Sequence, residues 1–380
     1  MNKKIFLLFH GRFPSEKAAS LFAAKSCESF SNLGAKVVLI VPKRFKAKKE
    51  PFVKYYNVKD NFEVKYVPTI DLFSFLGNLS FYVSLFFYSL SSVLFLLRNA
   101  KREDIIYTNE TLPLLFASLF FKNTLFEVHD YPEKKKWFYG MLFSNVRWVL
   151  VTNKWKLKKI KKDFPQVAGK TFLERNAVEI SEFDIPESKK EAREKLKYTF
   201  SNKKKIILYT GHLYDWKGVD ILAEAAKQLS NTFEILFVGG TSDGVDSFRL
   251  KYGHVQNIVI LGFKPHAEIP LWQRSSDLLI LPNTAKQDIS KFYTSPMKLF
   301  EYMASKTPIL ASNIPSISEI LNTSNSYLVE PDNPKKLASI IKSVFKDEDR
   351  FERSKAARAD IEDYSWKKRA DRIFKHLFAN

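Results

Sequence analysis

The stretch from Tyr293 to Ala304 carries the residues best suited to binding an anion. Ser295 and Pro296 predict a helix start, because serine caps helices and proline is tolerated in the first turn. A helix N-terminus has partial positive charge and free N–H donors, so the Ser295 hydroxyl and the Lys298 ammonium would complete a site for a diphosphate. Glu301 is an acceptor-only carboxylate that suits two neighbouring hydroxyls. Diphosphate plus diol predicts a nucleotide sugar; the alternative is a surface Lys298–Glu301 pair.

The elements after this stretch extend the pattern. Residues 306–312 read as a short buried strand and residues 314–321 as a short helix. This order resembles the carboxyl-terminal domain of the retaining nucleotide-sugar glycosyltransferases of family 4, in the branch with Ser-Pro-x-Lys-x-x-Glu-Tyr-Met-Ala. The resemblance implies an α/β protein of the GT-B fold, with two Rossmann-like domains whose parallel sheets face each other across a cleft. The first glutamate of the family's Glu-x7-Glu pair is replaced by Tyr293, and Asp288 is the nearest substitute.

Length and composition agree with a two-domain soluble protein. A chain of 380 residues exceeds a typical single core, and its charge is +20 from 61 basic and 41 acidic residues. This excess predicts an anionic partner, unless it reflects only a general preference for lysine. The single Cys27 excludes a disulfide framework, fits a reducing cytosol and falls at a core position of a predicted helix. The predicted domains are residues 1–183, completed by a last helix at 366–380, and residues 184–365.

The second domain opens with a strand, a glycine turn and a helix. Residues 205–210 form the apolar strand, Gly211 the turn, and Lys217 precedes the helix predicted at 219–229. The resemblance implies that Lys217 pairs with the donor diphosphate and that His212 stands nearest to the family's arginine. A surface lysine is the alternative, although a helix N-terminus disfavours a cation without an anionic partner. The other positions assigned to the donor are Gly239, Phe263, Ser295, Pro296, Met297, Lys298 and Glu301.

Two turns of the first domain follow predicted strands. A strand at 5–9, a turn and a helix begin a Rossmann-like unit, and Gly11, Arg12 and Lys17 in and after this turn are acceptor-side candidates or merely solvent-facing. A strand at 124–128 ends in His129 and Asp130. Residues beyond parallel strands face the ligand crevice, and the resemblance to a Glu-x-His turn implies that His129 and Asp130 approach the reacting sugar. With Lys217 and Lys298, they form the predicted catalytic set.

Residues 72–97 contain no charged residue but many aromatics and serines. The length suffices to span a bilayer, yet the serines and the position between two strands favour a buried or membrane-docking helix. Residues 134–162 mix lysines with Trp and Tyr, which fits lipid headgroups, single-stranded nucleic acid or a solvated helix face. We therefore expect an anionic membrane surface as a partner.

The resemblance implies transfer of a sugar from a nucleoside diphosphate sugar to a glycan or lipid-linked acceptor, with retention of configuration. We expect no cofactor, since the donor is a co-substrate, and no metal, since no Asp-x-Asp pair or His/Cys cluster occurs. The expected location is cytoplasmic, peripheral on the inner face of the membrane. The alternatives are a GT-B epimerase, a sugar-nucleotide sensor and a basic nucleic-acid-binding protein. A nucleic-acid partner is not expected, because such a groove needs no diol-binding carboxylate.

Overall fold

The computed structural model describes residues 4–44, 50–70, 78–134 and 136–378, and its contacts divide the chain into two compact units. Unit 1 runs to Arg175 and includes the segment from Trp366; unit 2 is Asn176–Ser365. The boundary was predicted at 183/184. It lies earlier because the Val178 N–H donates to the Tyr364 carbonyl, and Phe183 packs in the core of unit 2.

Unit 1 contains a seven-stranded parallel sheet with the order β3-β2-β1-β4-β5-β6-β7. Its strands are apolar runs such as Lys-Val-Val-Leu-Ile-Val-Pro, as expected where helices cover both faces of a parallel sheet. The strand order reverses between β1 and β4, and ligands bind beyond the carboxyl ends of strands at such a point. The strands are β1 (Lys4–Leu8), β2 (Lys36–Pro42), β3 (Glu63–Val67), β4 (Ile105–Thr108), β5 (Thr124–Val128), β6 (Trp148–Val151) and β7 (Thr171–Leu173).

The helices of unit 1 connect these strands. In the first of them, Ala23, Cys27 and Phe30 recur at helical spacing and are buried, which confirms the predicted core position of Cys27. A 3-10 turn, Pro165–Lys170, precedes β7. The helices are α1 (Ala18–Asn32), α2 (Phe52–Tyr56), α3 (Asn78–Asn99), α4 (Thr111–Ser118), α5 (Lys136–Asn145) and α6 (Lys154–Asp163).

Unit 2 contains a six-stranded parallel sheet with the order β10-β9-β8-β11-β12-β13. Here the order reverses between β8 and β11, so the turns after these two strands mark the expected ligand-binding edge. The strands are β8 (Lys205–Thr210), β9 (Phe233–Val238), β10 (Ile258–Gly262), β11 (Leu278–Leu281), β12 (Ile309–Ser312) and β13 (Tyr327–Val329). The α/β class and the two parallel sheets predicted from the sequence are confirmed.

The helices of unit 2 include two in the polar segment from Ile180 to Lys195. The second of these two has a reciprocal capping box between Ser188 and Glu191, which explains a helix in so polar a segment. The helices are α7 (Ile180–Phe183), α8 (Lys189–Lys195), α9 (Val219–Ala226), α10 (Ser242–Tyr252), α11 (Ile269–Ser275), α12 (Met297–Ala304), α13 (Pro315–Ser318), α14 (Pro334–Val344) and α15 (Arg350–Asp360). The last helix, α16 (Trp366–Phe378), belongs to unit 1.

Candidate functional site

Two glycine turns lie together at the carboxyl ends of β8 and β9. Gly211 has φ +120° and Gly239 φ +113°, conformations that side chains rarely adopt. A Cβ on Gly239 would lie 2.6 Å from the Gly211 carbonyl oxygen, so any larger residue would push the two turns apart. Both predicted donor residues are only partly buried, and their turns pack closely against each other.

Lys298 of α12 is buried beside the Gly211 turn. Its side chain is held there because Tyr302, on the same helix, accepts a 2.9 Å hydrogen bond from the Thr210 N–H. Lys298 is 8% exposed, its Nζ donates a long 3.3 Å hydrogen bond to the Thr210 carbonyl, and it lies 3.7 Å from the Tyr209 ring centroid. The burial excludes the alternative of a solvent-exposed Lys298–Glu301 surface pair.

Lys217 approaches the same place from the loop after β8. The loop packs tightly against the end of β11, because Gly218 has φ +70° and a Cβ there would lie 1.9 Å from the Pro282 carbonyl oxygen. Desolvation lowers the pKa of Lys217 to about 8, although the Glu301 carboxylate opposes this shift. The lysine is therefore a half-buried cation rather than the freely solvated one of the alternative reading.

The charges of Lys217 and Lys298 act on each other. Burial first, and then the Lys217 charge, hold the pKa of Lys298 well below its usual value, while Glu301 works in the opposite direction. Two basic side chains that repel each other when both are protonated therefore share this edge of the sheet. Strongly perturbed groups at a strand-end turn are characteristic of functional sites, and this combination is suited to a dianion.

Glu301 lies one turn further along α12 and is mostly buried. Its Oε1 lies 3.9 Å from His266 Nε2, a buried nitrogen atom without a hydrogen-bond partner among the described residues. His266 was not predicted, because its position before α11 carries no recognisable pattern. The Glu301 side chain is 13% exposed.

The predicted start of α12 needs a correction. Met297 is its first residue and Pro296 its N-cap, with ψ 123° and no side-chain capping bond, so Ser295 does not cap the helix. Instead, the Ser295 carbonyl accepts a short hydrogen bond from Asn176 Nδ2, which fixes the approach of the chain. Met297 is half-buried.

The remaining donor-side candidates are more exposed. His212 stacks on Tyr214 at 5.1 Å, and Tyr214 stacks on Trp216 at 6.3 Å. Phe263, which follows β10, is 51% exposed. Tyr293, which stands at the position of the family's first glutamate, is buried and carries no carboxylate. Asp288, the nearest substitute, is exposed.

In unit 1, the turn after β5 is built on a buried charge network. Glu127 is fully buried and its Oε1 lies 2.7 Å from Arg369 Nη2 and 3.1 Å from His129 Nε2, while Tyr107 donates to Oε2. Burial alone would raise the pKa of Glu127, but Arg369, His129 and Tyr107 together hold it at about 2. The Glu127 carboxylate thus lies at ion-pair distance from the His129 ring, which also meets Phe22 edge-on at 5.0 Å.

Lys156 of α6 fixes the backbone of the same turn. Its ammonium is completely buried and donates to the carbonyls of Val128, at 2.9 Å, and His129, at 2.7 Å. Asp130, the next residue, is exposed. Three residues of this network were not identified from the sequence: Arg369, Tyr107 and Lys156. Each contacts the turn from another element of the chain, so only the folded structure shows that these side chains are buried beside it.

The turn after β1 holds the acceptor-side candidates. Arg12 and Lys17 are exposed, whereas a Cβ on Gly11 would lie 2.2 Å from the Phe9 ring, so a larger residue there would require this ring to move. His10 is buried and lies 3.0 Å from Arg44 Nη2. Burial and the Arg44 charge lower the pKa of His10 to about 3, so this imidazole is neutral. Glu110, after β4, has a raised pKa because of its burial.

A segment of unit 2 is similar to proteins of a known family. Residues 204–347 match the family model Glycosyl transferases group 1. The D-inositol 3-phosphate glycosyltransferase 1 of Catenulispora acidiphila is 25% identical over 184 residues, which are 44% of this chain and 42% of that protein. The chain thus spans less than half of the length of the curated relatives it matches.

Solved structures extend the similarity to the whole fold. Sucrose-phosphate synthase of Thermosynechococcus elongatus superposes with a TM-score of 0.80 at 17% identity, covering 100% of both chains. Anabaena Alr3699/HepE, solved with UDP and glucose, gives 0.75 at 18% identity, again over 100% of both chains. The fold is therefore the GT-B fold predicted from the sequence, and the similarity to group 1 glycosyl transferases covers the segment that holds Lys217, Lys298 and Glu301.

Proposed function

We propose that the protein is a glycosyltransferase that moves a sugar from a nucleoside diphosphate sugar to an acceptor, with retention of anomeric configuration. The observation that carries the proposal is the pair of interacting basic side chains, Lys217 and Lys298, beside the Gly211 turn and the start of α12. Support comes from the group 1 match of this segment and from the UDP and glucose bound by the structurally similar Anabaena protein.

The proposed chemistry depends on charge at the diphosphate. As the bond between the sugar C1 and the diphosphate oxygen breaks, its electron pair remains on that oxygen and negative charge grows there. Lys217, Lys298 and the N–H groups of the first turn of α12 are already placed to meet this charge, which lowers the barrier by electrostatic preorganisation. Glu301 is assigned to the ribose hydroxyls. The two lysines supply the positive charge, so the proposed reaction requires neither a metal nor another cofactor.

Unit 1 is assigned to the acceptor, a glycan or lipid-linked molecule. His129, which lies beside Glu127, is the proposed group nearest the reacting sugar, with Asp130 next to it; Gly11, Arg12 and Lys17 are proposed to contact the acceptor. The single buried Cys27 supports a reducing, cytoplasmic location.

The decisive experiment combines binding with product analysis. A panel of nucleoside diphosphates is tested by thermal shift on the wild type, on Lys298→Ala and on Lys227→Ala, a solvent-facing lysine of unit 2 as control. We expect one or two nucleotides to stabilise the wild type and the control but not Lys298→Ala. Incubation with the matching sugar donor and a lipid extract, followed by NMR of the product, then gives the anomeric configuration. Equal binding by Lys298→Ala, or an epimerised donor without transfer, would contradict the proposal.

A further inference from the structure

Helix α3 presents large apolar side chains to solvent as well as to the core. Six large apolar side chains form a stripe along this helix and are 44% to 67% exposed. Phe81 and Phe87, beside the stripe, are 42% and 37% exposed. A few exposed apolar residues are normal, but a contiguous exposed stripe of this length marks an interaction surface. The stripe consists of Leu79, Tyr82, Phe86, Leu90, Leu94 and Leu97.

The serines of α3 lie on the opposite side, against the protein. Ser80, Ser84, Ser89 and Ser92 are all fully buried. Ser89 Oγ donates to the carbonyl of Leu85 at 2.6 Å, so at least this hydroxyl is satisfied within the helix. Leu85, Tyr88 and Leu96 complete the packing against the sheet residues of unit 1. The small buried side chains let α3 sit close to the sheet, and a second set of large apolar residues is left on its outer side.

The exposed apolar surface continues onto the end of α4. Phe86 of α3 meets the ring of Phe116 at 5.9 Å, and beyond it Leu119 is 67% and Phe120 54% exposed. The surface therefore spans two helices rather than a single ridge. We call the α3 stripe together with Leu119 and Phe120 the α3–α4 face.

Positive side chains border the α3–α4 face at the end where α3 terminates. Arg98, Lys101 and Arg102 are exposed there together with the acidic Glu103, and the exposed Lys122 lies two residues after Phe120. No charged residue occurs between residues 79 and 97. An uncharged apolar face with a basic border is complementary to the acyl and headgroup layers of an anionic membrane. A protein partner of matching shape would need no such predominantly basic border.

We propose that the α3–α4 face docks the protein onto an anionic membrane, with α3 lying in the interfacial plane. Among the described residues, Leu79–Asn99 is the helix that is long and apolar enough to cross a bilayer. A spanning helix would have to leave the sheet, however, and expose Leu85, Tyr88, Val93 and Leu96, which are now core residues. Docking uses the exposed stripe and leaves this core intact.

The docked helix touches the acceptor-side turn directly. His10, at the end of the β1 turn, lies 3.1 Å from Ser84 Oγ and 5.3 Å from the exposed ring of Phe81. A membrane in contact with α3 would therefore lie beside the turn that holds Gly11 and Arg12. This extension rests on the proposed function, and it narrows the acceptor to one carried by a lipid.

Vesicle flotation tests the docking. The full chain is mixed with vesicles of phosphatidylcholine alone or of phosphatidylcholine and phosphatidylglycerol in equal parts. The test variant is Leu90→Asn/Leu94→Asn; the matched control is Leu250→Asn/Phe351→Asn, two apolar residues of unit 2 that are 88% and 47% exposed. We expect the wild type and the control to float with the anionic vesicles, and the test variant to bind roughly tenfold more weakly for each leucine replaced. Lys101→Gln/Arg102→Gln should lose the preference for anionic vesicles.

Three outcomes would overturn the docking proposal: no flotation of the wild type, equal flotation of the test variant, or wild-type protein that resists alkaline extraction from membranes. Sedimentation on the same samples detects a dimer that Leu90→Asn/Leu94→Asn dissociates, which would assign the face to a second copy instead. Nucleoside diphosphate binding, measured on every variant, keeps the two proposals apart. Flotation without nucleotide binding would support docking and reject the proposed function.

Discussion

Replacing Lys217 by methionine should make the ligand-free protein more stable. Methionine keeps the apolar stem but removes a cation whose pKa burial lowers from 10.5 to about 8. At 1.36 kcal/mol per pKa unit, holding this charge in the folded state costs at most about 3 kcal/mol, an upper limit because the side chain keeps some solvent contact. For a unit of this size, that corresponds to a rise in Tm of roughly 6–12 °C.

The stability difference between Lys217→Met and the wild type should depend on pH, and the lowered pKa of Lys217 determines in which direction. A lysine with a lowered pKa in the folded state destabilises the fold fully below the folded pKa, about 8, and not at all above the unfolded pKa of 10.5. The advantage of Lys217→Met over the wild type should therefore be largest below pH 8, and it should disappear as the pH rises toward 10.5. Calorimetry of both proteins across this range measures the difference directly.

The same substitution should weaken binding of the nucleoside diphosphate. A charged hydrogen bond to phosphate is worth about 1.5–3 kcal/mol, which predicts a loss of roughly tenfold to a hundredfold in affinity. Lys227→Met, at a solvent-facing pair with Glu224, is the control and should change stability by less than about 0.5 kcal/mol. A variant that is less stable than the wild type at pH 7, or that binds nucleotide equally well, would refute the reasoning.

Three further predictions concern Glu301, Arg369 and the metal dependence of sugar transfer. Glu301→Gln should lower affinity for a ribonucleoside diphosphate but not for its 2′,3′-dideoxy analogue in calorimetric titration; equal losses would remove Glu301 from the ribose. Arg369→Met should destabilise unit 1 by about 3–5 kcal/mol in urea unfolding by leaving Glu127 buried without its partner, and adding Glu127→Gln should recover part of this; a loss below about 1 kcal/mol would argue against the network. Sugar transfer should be insensitive to EDTA, and activity restored only by added Mg²⁺ would contradict the role given to the lysines.

The sequence was sufficient for the local features of the donor side. Apolar runs ended by glycine predicted β8 and its turn, and the same pattern located Lys217, because such signals depend only on neighbouring residues. The burial of Lys298 was not predicted, since alternation along α12 suggested a polar face. What decides its environment is the anchoring of Tyr302 to Thr210, a contact between residues 92 positions apart.

The residues that surround His129 could not be predicted from the sequence either, because they too come from distant parts of the chain. Arg369 lies 242 residues from Glu127, and no local pattern relates an arginine in the last helix to a carboxylate in the fifth strand. The direction in which α3 faces was equally undetermined. Serines and aromatics alternate along it, and both are compatible with a buried or an exposed side, so only the packing against the sheet decides between them.

Several charged side chains of this protein are buried and several apolar ones are exposed. Their contacts distinguish groups that stabilise the fold from groups that are suited to binding a partner. Lys156 and Arg369 are buried, but short hydrogen bonds to carbonyls or to Glu127 satisfy them within unit 1. Lys298 has a 3.3 Å hydrogen bond, an aromatic ring and a repelling neighbour, Lys217, while the α3–α4 face exposes leucines that the core could have used. Proteins commonly retain such unfavourable features at functional sites, where binding of a partner offsets the lost stability. The lysines are suited to an anion and the α3–α4 face to an apolar layer, and the two proposals together, a nucleotide-sugar donor and a lipid-linked acceptor, account for both features.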